Sequence, residues 1–187
     1  MLLHSLVRHP DSPSAAVERI DVQLAADARG MQLSYGLIGD ARRVIATAAA
    51  AGEPPQRRDE LWRTTCCELF VRDAEGDGYL EFNFAPSGDW AAYRFGGYRT
   101  GRVPLETPAP RIALERSSAA VTLGVTLRAP ALDGLHNLER RIGLACVVET
   151  ATEISYWALA HAPGKPDFHH PAAFALAWPA TPRAAHF

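Results

Sequence analysis

One lysine (Lys165), two methionines and three cysteines among 187 residues are what this sequence has least of, and each scarcity narrows its reading. The cysteines, Cys66, Cys67 and Cys146, are odd in number and carry no CxxC spacing. Neighbours on a strand point to opposite faces, so Cys66 and Cys67 share neither a partner nor a metal, and all three read as small buried apolar side chains. Charge of one sign is lacking too. The 19 Lys+Arg stand against 21 Asp+Glu, a net charge of -2, which leaves no field to hold nucleic acid or an anionic membrane. No apolar run approaches the roughly 18 residues that a membrane helix needs. The opening Met1-Leu-Leu-His-Ser-Leu-Val-Arg-His-Pro10 has no basic segment, long apolar segment or small-residue cleavage site of a secretory leader, so a cytoplasmic protein is expected. GxSxG, HExxH, P-loop and dinucleotide fingerprints are missing, so the reading leans away from an enzyme.

What is present is a soluble composition, 48% apolar and 21% charged, patterned with period two. Ile20, Val22 and Leu24 alternate with polar neighbours; after Asp27-Ala-Arg-Gly30 the alternation resumes at Met31, Leu33, Tyr35 and Leu37, a hairpin signal. Ala46–Ala51 allows a helical turn before Pro54-Pro55. Residues 62–98 read as a three-stranded meander: Thr65–Val71, a turn at Asp73–Gly78, Tyr79–Phe84, a Pro86-Ser-Gly88 turn, then Trp90–Tyr98. Beyond the Pro-rich stretch Val103–Pro110, strands are expected at Arg111–Glu115, Ala119–Arg128, Ile142–Thr150, Ile154–His161 and Phe174–Trp178. Pro130–Glu139 is expected to be irregular. Many short strands without a long amphipathic helix predict an all-β antiparallel sandwich, residues 1–187 forming one domain.

Three stretches carry a resemblance: LWRTTCCELFV from Leu61, YLEFNFAPSGDWAAYRF from Tyr79 and SYWALAHAPGKPDFHHPAAFAL from Ser155. Together they resemble the DOMON-like bacterial domains, which are similar to family-9 carbohydrate-binding modules and to haem- or sugar-binding DOMON domains. The resemblance implies a jelly-roll type sandwich of two antiparallel sheets, with any ligand on one sheet face or at its bordering loops. Relatives of that kind clamp a sugar with aromatic side chains or hold haem with axial His and Met. Shared fold alone transfers neither chemistry.

The residues offer several candidate sites. Alternation puts Glu68 on one face of its strand and Glu81 with Asn83 on one face of the next. If those faces coincide, they make a polar cluster suited to sugar hydroxyls; otherwise they face water on the solvated side of a sheet. Trp62, Trp90, Tyr93, Tyr156 and Trp157 either stack on a sugar ring or fill the core, Trp62 being the best placed for exposure. Arg94 adds a guanidinium able to hold sugar hydroxyls or a carboxylate in bidentate fashion. His161 and His169, with Asp167, either ligate a metal or haem, or fix a loop among prolines by hydrogen bonds. Met1 and Met31 lie outside the three stretches and give a His/Met haem pair no support. Asp73-Ala-Glu75-Gly-Asp77-Gly78 begins like a calcium loop but lacks its closing Glu and flanking helices, and reads as a hairpin turn.

The expected function is non-catalytic binding of a small ligand, a carbohydrate or cell-wall-derived sugar, through Trp62, Glu68, Glu81, Asn83, Trp90 and Arg94. No cofactor is expected on that reading. The alternatives are a haem- or metal-binding domain using His161 and His169, and a protein-interaction module without a small ligand.

Overall fold

The computed structural model describes residues 2–13, 16–27, 29–48, 54–73, 76–128 and 140–178. Within them the strands are β1 (Leu2–Arg8), β2 (Val17–Asp27), β3 (Gly30–Gly39), β4 (Cys66–Asp73), β5 (Tyr79–Phe84), β6 (Trp90–Phe95), β7 (Val103–Pro104), β8 (Arg111–Arg116), β9 (Ala120–Arg128), β10 (Arg140–Glu149), β11 (Ile154–Ala158) and β12 (Leu176–Trp178). They hydrogen-bond in the order β7-β6-β5-β4-β10-β11-β1-β2-β3-β9-β8, with β12 also on β10. All of these pairings are antiparallel.

The path doubles back at β1. Leu2–Leu6 pair with β2, whereas Val7 and Arg8 pair with Trp157 and Ala158 of β11. One strand therefore belongs to both sheets, β8-β9-β3-β2-β1 and β7-β6-β5-β4-β10-β11. The sheets pack face to face as a sandwich, through Ile20, Val22, Leu33 and Val125 from the first against Leu69, Phe82 and Leu144 from the second. Tyr35 crosses the interface: fully buried, it donates its hydroxyl proton to the backbone carbonyl of Glu68 at 2.9 Å. A buried phenol needs such a partner.

The two sheets differ on their outer faces. β2 and β9 alternate buried and open positions, as a half-solvated antiparallel strand does. By contrast, Ile142–Val148 of β10 are buried without a break. The outer face of the second sheet is thus covered, and a second apolar cluster of Phe70, Tyr79, Tyr93, Phe95, Phe168 and Phe174 lies there. Its roof is the segment after β11. Gly143 makes that close approach possible: a Cβ there would sit 3.2 Å from the Ala173 carbonyl oxygen and 3.3 Å from Phe70 Cβ.

The predicted hairpin and meander form at β2–β3 and β4–β5–β6. Several bounds change. β6 stops at Phe95, shortly before the turn at Tyr98-Arg99, and β11 stops at Ala158. Ala46–Ala48 have no regular structure, and a 3₁₀ turn forms earlier, at Ala41–Arg43. The rest of the expected helical turn, the Pro130–Glu139 stretch and Ala74-Glu75 of the acidic turn lie outside the described residues.

Candidate functional site

Strand alternation on β4 sends Cys67, Leu69 and Val71 into the inter-sheet core and Glu68 and Phe70 to the covered outer face. Glu68 stands directly opposite Asn83, and Phe70 opposite Glu81. The two polar faces therefore coincide, but neither faces open water. Glu68 and Glu81 are each 3% exposed and Asn83 is fully buried.

Above this patch opens a cavity of about 790 Å³. Glu68, Glu81 and Val147 of β10 form its floor. Trp62 and Arg63 come from the 3₁₀ turn Leu61–Arg63, Ile154 and Tyr156 from β11, and Pro166, Phe168 and His169 from the roofing loop. Phe95 ends β6, and Arg99 and Arg102 follow in the turn beyond it. Its volume and its mixture of aromatic walls with a few convergent polar groups are those of a small-molecule site.

Hydrogen bonds hold the roof. Asp167 accepts from the His169 backbone N–H at 3.0 Å and from the Arg99 guanidinium at 2.7 Å, and also from the Tyr98 hydroxyl. The Asp167 carboxyl is held below the ordinary carboxylate range: these donors outweigh a partial burial that acts the other way. His170 Nδ1 accepts from Ala172 N–H at 3.1 Å and caps the short turn Pro171–Ala173. Arg99 itself sits at φ 54, a left-handed conformation that costs a non-glycine residue about 1 kcal/mol or more. Its backbone N–H, at 3.3 Å from the Tyr79 hydroxyl, and its bond to Asp167 keep it there.

The floor is an electrostatically tense pair. Burial pushes the Glu68 carboxyl well above its usual range, the neighbouring Glu81 pushes it further, and Arg99 only partly opposes them. Glu68 Oε1 has no hydrogen-bond partner. Glu81 is raised by burial as well, against an Asn83 amide that donates to its Oε1 at 2.6 Å and the more distant Arg102 and Arg99. His169 Nε2 stands 3.8 Å from Glu81 Oε2, while its Nδ1 meets the Tyr79 hydroxyl at 2.7 Å. Burial and Arg99 bring the imidazole down to about 4, so it is neutral at physiological pH.

Among the residues expected at a site, Trp62, Glu68 and Glu81 line the cavity together, and Asn83 lies beneath as the support of Glu81. Trp90 and Arg94 lie elsewhere. They share the opposite face of β6 with Ala92; Trp90 packs into the inter-sheet core with the Arg57 guanidinium 5.0 Å from its ring, and Arg94 is exposed. The position follows from period two: Tyr93 and Phe95 take the cavity face, so Trp90 and Arg94 cannot. Trp157 is in the same inner core, its indole donating to Ser155 at 3.0 Å.

His161 and His169 keep separate company. His161 Nε2 bonds the Val7 carbonyl at 2.9 Å and its ring meets His9 edge to face, whereas His169 belongs to the cavity wall. Among the described residues no three His, Cys, Asp or Glu side chains are grouped as a metal would need. Arg99 and Arg102 went unread in the sequence, although Gly96-Gly97 and Gly101 around them mark a tight turn beside the meander.

An all-β sandwich of two antiparallel sheets, with a roofed polar cavity on the outer face of one, is the class that fold and site define. No family model matches the chain, and no curated protein matches it in sequence. Among solved structures it is similar to a candidate carbohydrate-binding protein from Bacteroides uniformis, at 15% identity and a TM-score of 0.69, over 92% of this chain and 83% of that one. It is also similar to a family-9 carbohydrate-binding module from Caldicellulosiruptor kristjanssonii in complex with glucose, at 8% identity and a TM-score of 0.46, over 81% of this chain and 72% of that one. The cellotriose complex of a family-9 module from the same organism gives 8% identity and 0.48, over 81% and 70%. At such identity the Bacteroides likeness establishes the fold alone.

Proposed function

We propose that this chain is a non-catalytic binding domain for a small carbohydrate, DOMON-like and related to family-9 carbohydrate-binding modules, with its ligand in the cavity above Glu68 and Glu81. One observation carries the reading: buried carboxyls with an unpartnered oxygen form the floor of an open cavity whose walls are Trp62, Phe95, Tyr156 and Phe168. Sugars match this division of labour. Their C–H faces stack on aromatic rings, and their hydroxyls reach acceptors that are already held in place. Asn83 holds Glu81, and the Asp167 network holds the roof, so the ligand meets a preorganised site. The candidate carbohydrate-binding protein from Bacteroides uniformis, with the same fold, is in keeping with this reading.

Isothermal calorimetry against a panel of mono- and oligosaccharides tests it. At least one sugar should bind, and Glu68→Ala and Trp62→Ala should each weaken that binding by about tenfold or more, roughly 1.4 kcal/mol. Sugar binding that both variants retain in full would refute this location of the site.

A further inference from the structure

The charges around the cavity are sorted by depth, and this narrows the ligand beyond the carbohydrate reading, on which the inference rests. Both carboxyls are at the floor, 3% exposed. The guanidinium groups enter from the rim, and each is engaged there: Arg63 pairs with Glu60 at 2.8 Å, Arg99 with Asp167 at 2.7 Å, and Arg102 lies 4.9 Å from the Tyr93 ring centre. No Arg or Lys of the described residues forms an ion pair with Glu68 or Glu81. The floor is a pair of carboxyls with no guanidinium or ammonium in direct contact, bordered by aromatic side chains that also attract a cation.

We propose that the cavity takes an amino sugar, whose ammonium group seats on Glu68 and Glu81. A hydroxyl brings one donor to the Glu68 carboxyl and leaves two neighbouring carboxyls to repel each other or share a proton. An ammonium brings three donors and the missing positive charge. The proton balance is definite. Burial and the neighbouring Glu81 favour the protonated form of Glu68 in the free protein; a proton held there leaves for solvent when the ammonium arrives, and the N–H⁺ group replaces it. Binding then releases protons and strengthens with rising pH until Glu68 is ionised beforehand or the amine loses its own proton. A neutral sugar that accepts a bond from protonated Glu68 has the opposite slope. The groups facing Glu68 are Glu81 from β5, Arg99 and Arg102 from the turn after β6, His169 from the roof and Arg63 from the 3₁₀ turn. His169 titrates near 4 and guanidinium groups in general stay charged, so among the protein's groups the two glutamates govern the slope, and the ligand's own amine limits it where it loses its proton near neutrality.

The test is calorimetry of the full chain with glucosamine, N-acetylglucosamine and glucose, and with chitosan trimer, triacetylchitotriose and cellotriose. It is run between about pH 5 and about pH 6, where the sugar amines stay protonated, in buffers of differing ionisation enthalpy. The amino forms should bind about tenfold or more tighter than their acetylated and neutral counterparts at the upper pH. Their affinity should rise with pH, with net proton release, and Glu68→Gln should bring them down to the level of glucose. Neutral sugars binding as well as amino sugars, or an affinity for amino sugars that falls with pH, overturns the amino-group proposal and leaves the carbohydrate reading intact. Binding of none of the six overturns both. Should Glu68→Gln fail to fold, the pH slope of the unaltered chain still separates an ammonium ligand from a neutral one.

Discussion

The hydroxyl of Tyr79 meets Nδ1 of His169 across 2.7 Å, and the same oxygen accepts the Arg99 backbone N–H at 3.3 Å. The Nε2–H tautomer is expected, because it lets Nδ1 accept from the phenol and aims its own N–H at Glu81 Oε2, 3.8 Å away. Long-range ¹⁵N–¹H correlation should detect this one tautomer, and Tyr79→Phe should turn it into a mixture.

Acid should weaken the fold through the same residue. His169 titrates at about 4 when folded, against an ordinary value of 6.5. Between those values the unfolded chain takes up a proton that the native ring refuses, so stability falls from about pH 6.5 to about pH 4 and levels off below. The loss from this group reaches about 3 kcal/mol. Urea unfolding across that range should show His169→Gln losing less stability on acidification than the unaltered chain. Equal slopes in the two proteins would sink the assignment.

Glu68 acts with the opposite sign. Its folded carboxyl is raised above the unfolded value of 4.5, so the native state holds a proton that the unfolded chain releases. That contribution is complete below about pH 4.5 and is lost as pH rises towards the folded value. Glu68→Gln, which keeps the shape and cannot ionise, should therefore be more stable than the unaltered chain at about pH 8, with no such advantage at about pH 4. Thermal melts at the two pH values decide it.

Tyr35→Phe should destabilise the protein by about 1–3 kcal/mol, because the Glu68 carbonyl loses its inter-sheet donor with no water to replace it. The cavity lies on the other side of that strand, so sugar binding measured at a temperature where the variant is folded should change far less than stability does.

The thiols should be silent until unfolding. Cys67 and Cys146 face each other in the core with sulfurs 3.5 Å apart, and Cys66 lies under the cavity against Asn83 at 3.6 Å. All three are free and buried, and burial pushes the Cys66 and Cys67 thiols up. A thiol reagent should label none in the native protein and all three in denaturant; native labelling of any one contradicts this packing.

Much of this was legible in period two. The faces of β4, β5 and β6 follow from alternation, and so does the meeting of Glu68 with Glu81 and Asn83 once the turns set the register. The same rule, applied strictly, removes Trp90 and Arg94 from that face. β1 was not legible, because Leu2-Leu3-His4-Ser5-Leu6-Val7 lacks alternation; a strand shared between two sheets has no single inner face to mark.

By itself, then, the sequence determined an all-β antiparallel sandwich, its meander and the side on which the acidic residues fall, since these depend on neighbours along the chain and across tight turns. The tertiary structure alone decided that this side is roofed. Residues far apart in sequence make the roof: Asp167 holding Arg99, Tyr79 holding His169, and Gly143 leaving room for Ala173. Burial under that roof turns Glu68 and Glu81 from solvated surface acids into the raised, partly unpartnered floor of a cavity.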